Sequence, residues 1–180
     1  MIFHQTKLAG AYIIELEKIA DSRGFFAESF SSRQFEQQGL NCRIAQCNVS
    51  FNHKKGTLRG MHFQIAPATE VKIVRCTRGA VFDAIVDIRP CSATYGQWIG
   101  VELSADNHKA LYVPEMFAHG YQTLADNSEV TYQVSEFYTP SAARGYRYDD
   151  PGFGIQWPLP VVELSGRDAA WEPFGGNSGK

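Results

Sequence analysis

Residues 57–64 read TLRGMHFQ, which sets an arginine, a histidine and a glutamine in a run that otherwise suits a half-buried strand. An imidazole with an ordinary pKa of about 6.5 is the natural proton acceptor near neutral pH, so His62 is a candidate base. A hydrogen-bonded core histidine would look the same, and His119 in VPEMFAHGY (113–121) raises the same two readings. In VKIVRCT (71–77), the strand period of two puts Lys72, Val74 and Cys76 on one face and Val71, Ile73 and Arg75 on the other. Lys72 is then either an inward cation or an edge lysine with its ammonium in solvent, the reading that the rarity of buried lysine favours. The same period aligns His62 with Leu58 and Gln64 and sends Arg59 to the opposite face, unless Gly60 hosts a bulge.

The elements that must hold these groups are mostly strands. Strand signals cover 11–17, 24–30, 44–51, 57–65, 70–77, 80–88, 95–103, 109–113, 117–124 and 128–135. Turn signals such as NHKKG, RPCSATYG, SADN and LADNSE separate them. SSRQFEQQG (31–39), with serines before a polar middle and a closing glycine, reads as one short surface helix. The pattern predicts an all-β chain, an antiparallel sandwich or barrel. One domain over 1–174 suits a chain of 180 residues, and GGNSGK at 175–180 reads as a flexible tail.

Composition narrows the function classes. With 17 basic and 19 acidic side chains the formal charge is −2, so no general basic field draws nucleic acid. No apolar run approaches the roughly 18 residues that span a bilayer, and the start lacks a signal-peptide pattern. A cytoplasmic protein is expected. Cys42, Cys47, Cys76 and Cys91 form no CxxC pair and read as free thiols.

Two histidine segments in an all-β chain suggest a cupin, whose metal site has the pattern G-x(5)-H-x-H-x(3,4)-E followed by P-x-G-x(2)-H. Here the second histidine position holds Gln64, Glu70 lies too far along, and Met116 replaces the later glycine. Glutamine is a poor transition-metal ligand beside imidazole. The site is expected to hold no metal.

From about residue 2 to residue 169 the chain resembles the dTDP-4-dehydrorhamnose 3,5-epimerase family, the RmlC-like cupins. The motifs are DSRGFFAESF (21–30), QCNVS (46–50), GTLRGMHFQ (56–64), VKIVRCTRGAVFDAIVDIR (71–89), VPEMFAHGY (113–121), VTYQVSEFYTP (130–140), YDDPGFGIQWP (148–158) and LSGRD (164–168). The resemblance implies a cupin-like jelly roll with a few short helices, working on a nucleotide-linked 4-keto-6-deoxyhexose without metal or organic cofactor. It implies His62 as base, Asp168 as its carboxylate partner, Tyr132 as the acid on the opposite face and Lys72 beside the C4 oxygen. Arg23 and Arg59 would meet the diphosphate or its neighbouring sugar. Phe26, Glu28, Gln46 and Asn48 would line the nucleotide or hexose site, with His119 and Tyr138 near the hexose. Tyr138 matches an aromatic proposed to influence how many centres are inverted. The segment carrying Arg23, Phe26 and Glu28 would reach the neighbouring subunit, which implies a homodimer. Phe63 stands where tyrosine is commoner, Met116 where many members have glycine, and Tyr148 where tryptophan is frequent. Single-centre epimerases, enzymes for CDP-linked sugars and metal-dependent cupins stand as alternatives.

Overall fold

The computed structural model describes residues 1–175, and the tail expected from 175 falls, beyond Gly175, outside them. Thirteen strands and two short helices follow one another among these residues. They are β1 (Ile2–Gln5), β2 (Tyr12–Glu15), β3 (Ile19–Asp21), β4 (Gly24–Phe26), α1 (Ser32–Gln37), β5 (Gln46–Asn52), β6 (Leu58–Gln64) and β7 (Lys72–Arg78). Then come β8 (Ala80–Asp87), β9 (Trp98–Ser104), β10 (Ala110–Val113), β11 (Phe117–Thr123), β12 (Ser128–Val134), β13 (Ala143–Gly145) and α2 (Gly166–Ala169). Two sheets make the sandwich, in the orders β1-β2-β10-β7-β12-β5 and β13-β6-β11-β8-β9, while β3 and β4 form a separate hairpin. All of the strand pairings are antiparallel. The cupin-like all-β sandwich expected from the sequence is the fold. The short β1, β3 and β13 carry too few residues for a period-2 signal and lie outside the expected strands. The expected strand at 24–30 stops at Phe26, and Ser29 instead gives its carbonyl to the Arg75 guanidinium.

Alternation along the strands builds three apolar clusters. Val74, Cys76, Val81, Ile85, Leu111 and Val130 point inward from both sheets and fill the space between them. Phe35 of α1 is fully buried and seals the outer face of the larger sheet, its ring 5.2 Å from that of Phe3 and 5.9 Å from that of Tyr112. Burying one such side chain stabilises by about 1.5–3 kcal/mol. On the outer face of the smaller sheet, Met61, Phe63, Val86 and Ala118 pack against Phe153 and Ile155 of the C-terminal segment. That packing draws the segment across β6.

Two readings that the strand pattern left open are decided here. Lys72 is no edge lysine: β7 lies between β10 and β12, and Lys72 is only 7% exposed. Arg59 does not face away from His62. β6 and β11 pair His62 with His119 but Arg59 with Tyr121, so β6 holds one more residue than β11 between those pairs. The bulge at Gly60 and Met61 resets the alternation and brings both side chains to the inner face. Gly60 has φ 143°, and a Cβ there would lie 2.5 Å from the Gly120 Cα. Only glycine meets both demands. Met116 takes φ 57°, a left-handed conformation that explains why glycine suits that turn.

Gly60→Ala is therefore expected to destabilise the protein by about 2 kcal/mol or more. Its urea unfolding midpoint should fall well below that of the wild type. An unchanged midpoint would show that the bulge does not depend on glycine.

Candidate active site

One cavity of ≈ 450 Å³ opens between the β5–β12–β7 side of the larger sheet and β6 of the smaller one. His62, Lys72, Tyr132 and Asp168 all line it, as do Gln46, Asn48, Arg59 and Tyr138. His119 lines a smaller chamber of ≈ 150 Å³ that shares Arg59, His62, Lys72 and Tyr132 with the first. Arg23, Phe26 and Glu28 stand apart from this chain's own cavity. Arg23 pairs with Asp21 on the β3–β4 hairpin, Phe26 is 68% exposed, and Glu28 accepts a hydrogen bond from Gln34.

Each group in the cavity has a traceable origin. His62 follows the bulge on β6, and its Nε2 lies 2.6 Å from Asp168 Oδ1. Asp168 sits in the single turn of α2, whose N-cap Ser165 accepts a hydrogen bond from the Asp168 amide. The Gly60 amide and the Trp171 indole also donate to the Asp168 carboxylate. Burial pushes that carboxyl up. The His62 hydrogen bond and charge, with the Gly60 and Trp171 donors, outweigh it and hold Asp168 below its ordinary range. The carboxylate is buried while the imidazole is 42% exposed toward the cavity. A proton can reach the ring, whereas the anion behind it is shielded from water.

Tyr132 projects inward from β12, flanked along its strand by the buried Val130 and Val134. Burial is the main cause that raises its phenol above the ordinary value, the charge of Glu70 adds to it, and Arg59 opposes it. The phenol therefore keeps its proton at neutral pH. Lys72 Nζ lies 3.2 Å from Glu70 and donates to the His62 carbonyl at 3.3 Å. Arg59 Nε donates to Asn52 Oδ1 at 2.7 Å, which aims the fork along the cavity wall. Arg59, Lys72, Arg144 and Arg167 against Glu70 and Asp168 leave the lining net positive, suited to a phosphorylated ligand.

Sequence reasoning missed several groups. Glu70 is two residues from Lys72, so period 2 alone would have put it on the same face. Arg167 stands beside Asp168 in LSGRD, and its guanidinium donates to the Tyr138 hydroxyl at 3.1 Å. Asp83 is wholly buried and lies 3.0 Å from His119 Nε2. An acidic residue among the apolar inward positions of β8 was the available signal. Among the described residues no three His, Cys, Asp or Glu side chains are grouped to hold a metal ion, and no helix is long and apolar enough to cross a membrane.

An imidazole backed by a buried carboxylate, a neutral phenol and a buried ammonium around one cavity, set in a cupin-like sandwich, suit an isomerase that works by acid–base chemistry. The family model described as dTDP-4-dehydrorhamnose 3,5-epimerase matches residues 5–175. A dTDP-4-dehydrorhamnose 3,5-epimerase of Methanothermobacter thermautotrophicus is 43% identical over 175 residues, 96% of this chain and 94% of that one. The crystal structure of the Bacillus anthracis dTDP-4-dehydrorhamnose 3,5-epimerase with TDP and PPi bound superposes with a TM-score of 0.93 at 38% identity, covering 96% of this chain and 99% of that one. A Legionella pneumophila RmlC structure in complex with dTDP-4-keto-L-rhamnose gives a TM-score of 0.89 at 39% identity, covering 96% and 92%. The chain belongs to the dTDP-4-dehydrorhamnose 3,5-epimerase family.

The depressed Asp168 carboxyl has a measurable consequence. Its stabilising contribution is present above the unfolded-state pKa near 4 and is lost as pH falls through the lower folded-state value. Asp168→Asn is expected to flatten the stability curve below about pH 4 relative to wild type. Urea midpoints between pH 7 and pH 3 test this, and parallel curves for the two proteins would refute it.

Proposed function

We infer that the protein converts dTDP-4-dehydro-6-deoxy-D-glucose to dTDP-4-dehydro-L-rhamnose by epimerisation at C3 and C5. The C4 ketone makes the protons on both neighbouring carbons removable, because the electron pair left behind moves onto the C4 oxygen as an enolate. The observation that carries the reading is the 2.6 Å pairing of His62 with a buried Asp168 in the same cavity as Tyr132 and Lys72. With Nε2 committed to Asp168, the imidazole takes the sugar proton on Nδ1, and the carboxylate stabilises the imidazolium. Lys72 meets the enolate oxygen with a charge-assisted hydrogen bond. Tyr132, on a strand of the opposite sheet, returns a proton to the other face of the carbon, and His62 and Tyr132 re-equilibrate with solvent. Each centre loses one proton and gains one, so the reaction is an isomerisation. The diphosphate lies along Arg59, with Gln46 and Asn48 beside the nucleotide or hexose, and His119 and Tyr138 near the sugar.

A homodimer completes this site, with the β3–β4 hairpin of one protomer bringing Arg23, Phe26 and Glu28 to its partner. Exposed apolar side chains support it: Ile19 at 71% and Phe26 at 68% on the hairpin, and Val49 at 66% on the edge strand β5. Ile19 and Phe26 are cross-strand partners in the hairpin, so they form one apolar patch of the kind that marks a protein–protein contact.

Incubating substrate and enzyme in D2O tests the chemistry: deuterium is expected at both C3 and C5 by mass spectrometry. His62→Ala should lose about 10²–10⁴-fold in turnover while still binding dTDP. Deuterium at one centre only would reduce the reading to single-site epimerisation, and none would reject it. The assembly has its own test. Mixing Arg23→Ala and His62→Ala chains should restore turnover, because the mixed dimer holds one site with both residues intact. Mixtures no more active than the separate variants would exclude a shared site.

A further inference from the structure

We propose that Gln64 is a positioning residue, a buried cross-tie that holds the Tyr138 loop and the approach to Lys72 in register with His62. The proposal rests on the epimerase reading above. Gln64 lies two residues beyond His62 on the same inward face of β6, is 3% exposed, and does not line the cavity. Its amide is fully engaged with main chain. Nε2 donates to the Ala68 carbonyl at 3.0 Å and to the Phe137 carbonyl at 3.2 Å, while Oε1 accepts from the Thr139 amide at 2.7 Å. Phe137 and Thr139 bracket Tyr138, so the side chain grips the backbone on both sides of that residue. Ala68 belongs to the turn that leads directly to Glu70 and Lys72.

The other bonds of the loop are local: the Thr139 carbonyl accepts from the Ala142 and Ala143 amides, the Thr139 hydroxyl donates to the Phe137 carbonyl, and the Phe137 amide donates to the Glu136 carboxylate. Phe137 and Tyr138 are 57% and 54% exposed, so packing holds neither ring firmly. The remaining tether on the Tyr138 side chain is the Arg167 guanidinium at its hydroxyl. Tyr138 forms a cavity wall beside the groups that exchange protons. Displacing such a wall by about 1 Å lowers turnover on the order of 10²-fold, because the sugar ring no longer meets base and acid in line. Binding of the nucleotide end, which relies on Arg59 and the β5 side chains, should be far less sensitive. The position that would supply a metal ligand in a histidine-pair cupin thus serves to hold loops instead.

The test is a double-mutant cycle with Gln64→Met, which matches the volume but removes all three hydrogen bonds, and Tyr138→Ala. Turnover is read as deuterium uptake by the keto sugar, dTDP binding by calorimetry, and folding by Tm. In the wild-type background Gln64→Met is expected to lower kcat about 10–100-fold while changing the dTDP Kd less than about 3-fold. In the Tyr138→Ala background it should cost less than about 2-fold more, since contacting residues are non-additive. Gln64→Glu keeps the acceptor for the Thr139 amide and should fall between; it carries the same cycle if Gln64→Met does not fold. An equal loss in both backgrounds, or wild-type kcat in the Gln64 variants, would overturn the proposal. A wild-type enzyme that exchanged no deuterium would instead overturn the epimerase reading itself.

Discussion

A carboxylate must reach an imidazole across 106 residues of chain before this site exists. Asp168 belongs to one turn of helix that has no stability of its own. What delivers it is the C-terminal segment, held against β6 by Phe153, Ile155 and their partners on the outer face of the smaller sheet. Gly145 is part of the same requirement, because a Cβ there would lie 2.4 Å from the Trp171 ring that donates to Asp168. The hydrophobic effect supplies the force, and the His62–Asp168 pairing is its product.

The other polar groups in the cavity are possible for the same reason that they are expensive. Lys72 and Glu70 are both nearly buried, and removing one would leave an uncompensated charge in a poorly solvated place. As a pair they keep an ammonium beside the cavity. Glu70 then acts on Tyr132 as well, reinforcing the effect of burial that keeps the phenol protonated. One acidic side chain thereby pairs with a cation and favours the neutral form of an acid. His119 and Asp83 add a second histidine–carboxylate pair one strand away, opposite His62 in the ladder.

Much of this was legible before any coordinates. Alternation in VKIVRCT put Lys72 with Val74 and Cys76, and all three do point into the sandwich. The family motifs named His62, Tyr132 and Asp168, and the structure gathers them. For two residues the strand pattern by itself did not suffice. Whether the Lys72 ammonium was buried depended on whether β7 was an edge or an interior strand, a property of sheet order that no local pattern encodes. Arg59 depended on one extra residue in β6, and a glycine is compatible with a bulge without requiring it.

Sequence alone determined the all-β class, the strand and turn spacing and the chemical identity of the candidate groups, because these follow from side-chain type and a period of two. Tertiary structure decided which of them share a cavity, which carboxylate backs which histidine, and where Gln64 directs its amide. Those outcomes depend on contacts between residues far apart in the chain, where packing of the sheets and of the C-terminal segment sets distances that local preference cannot.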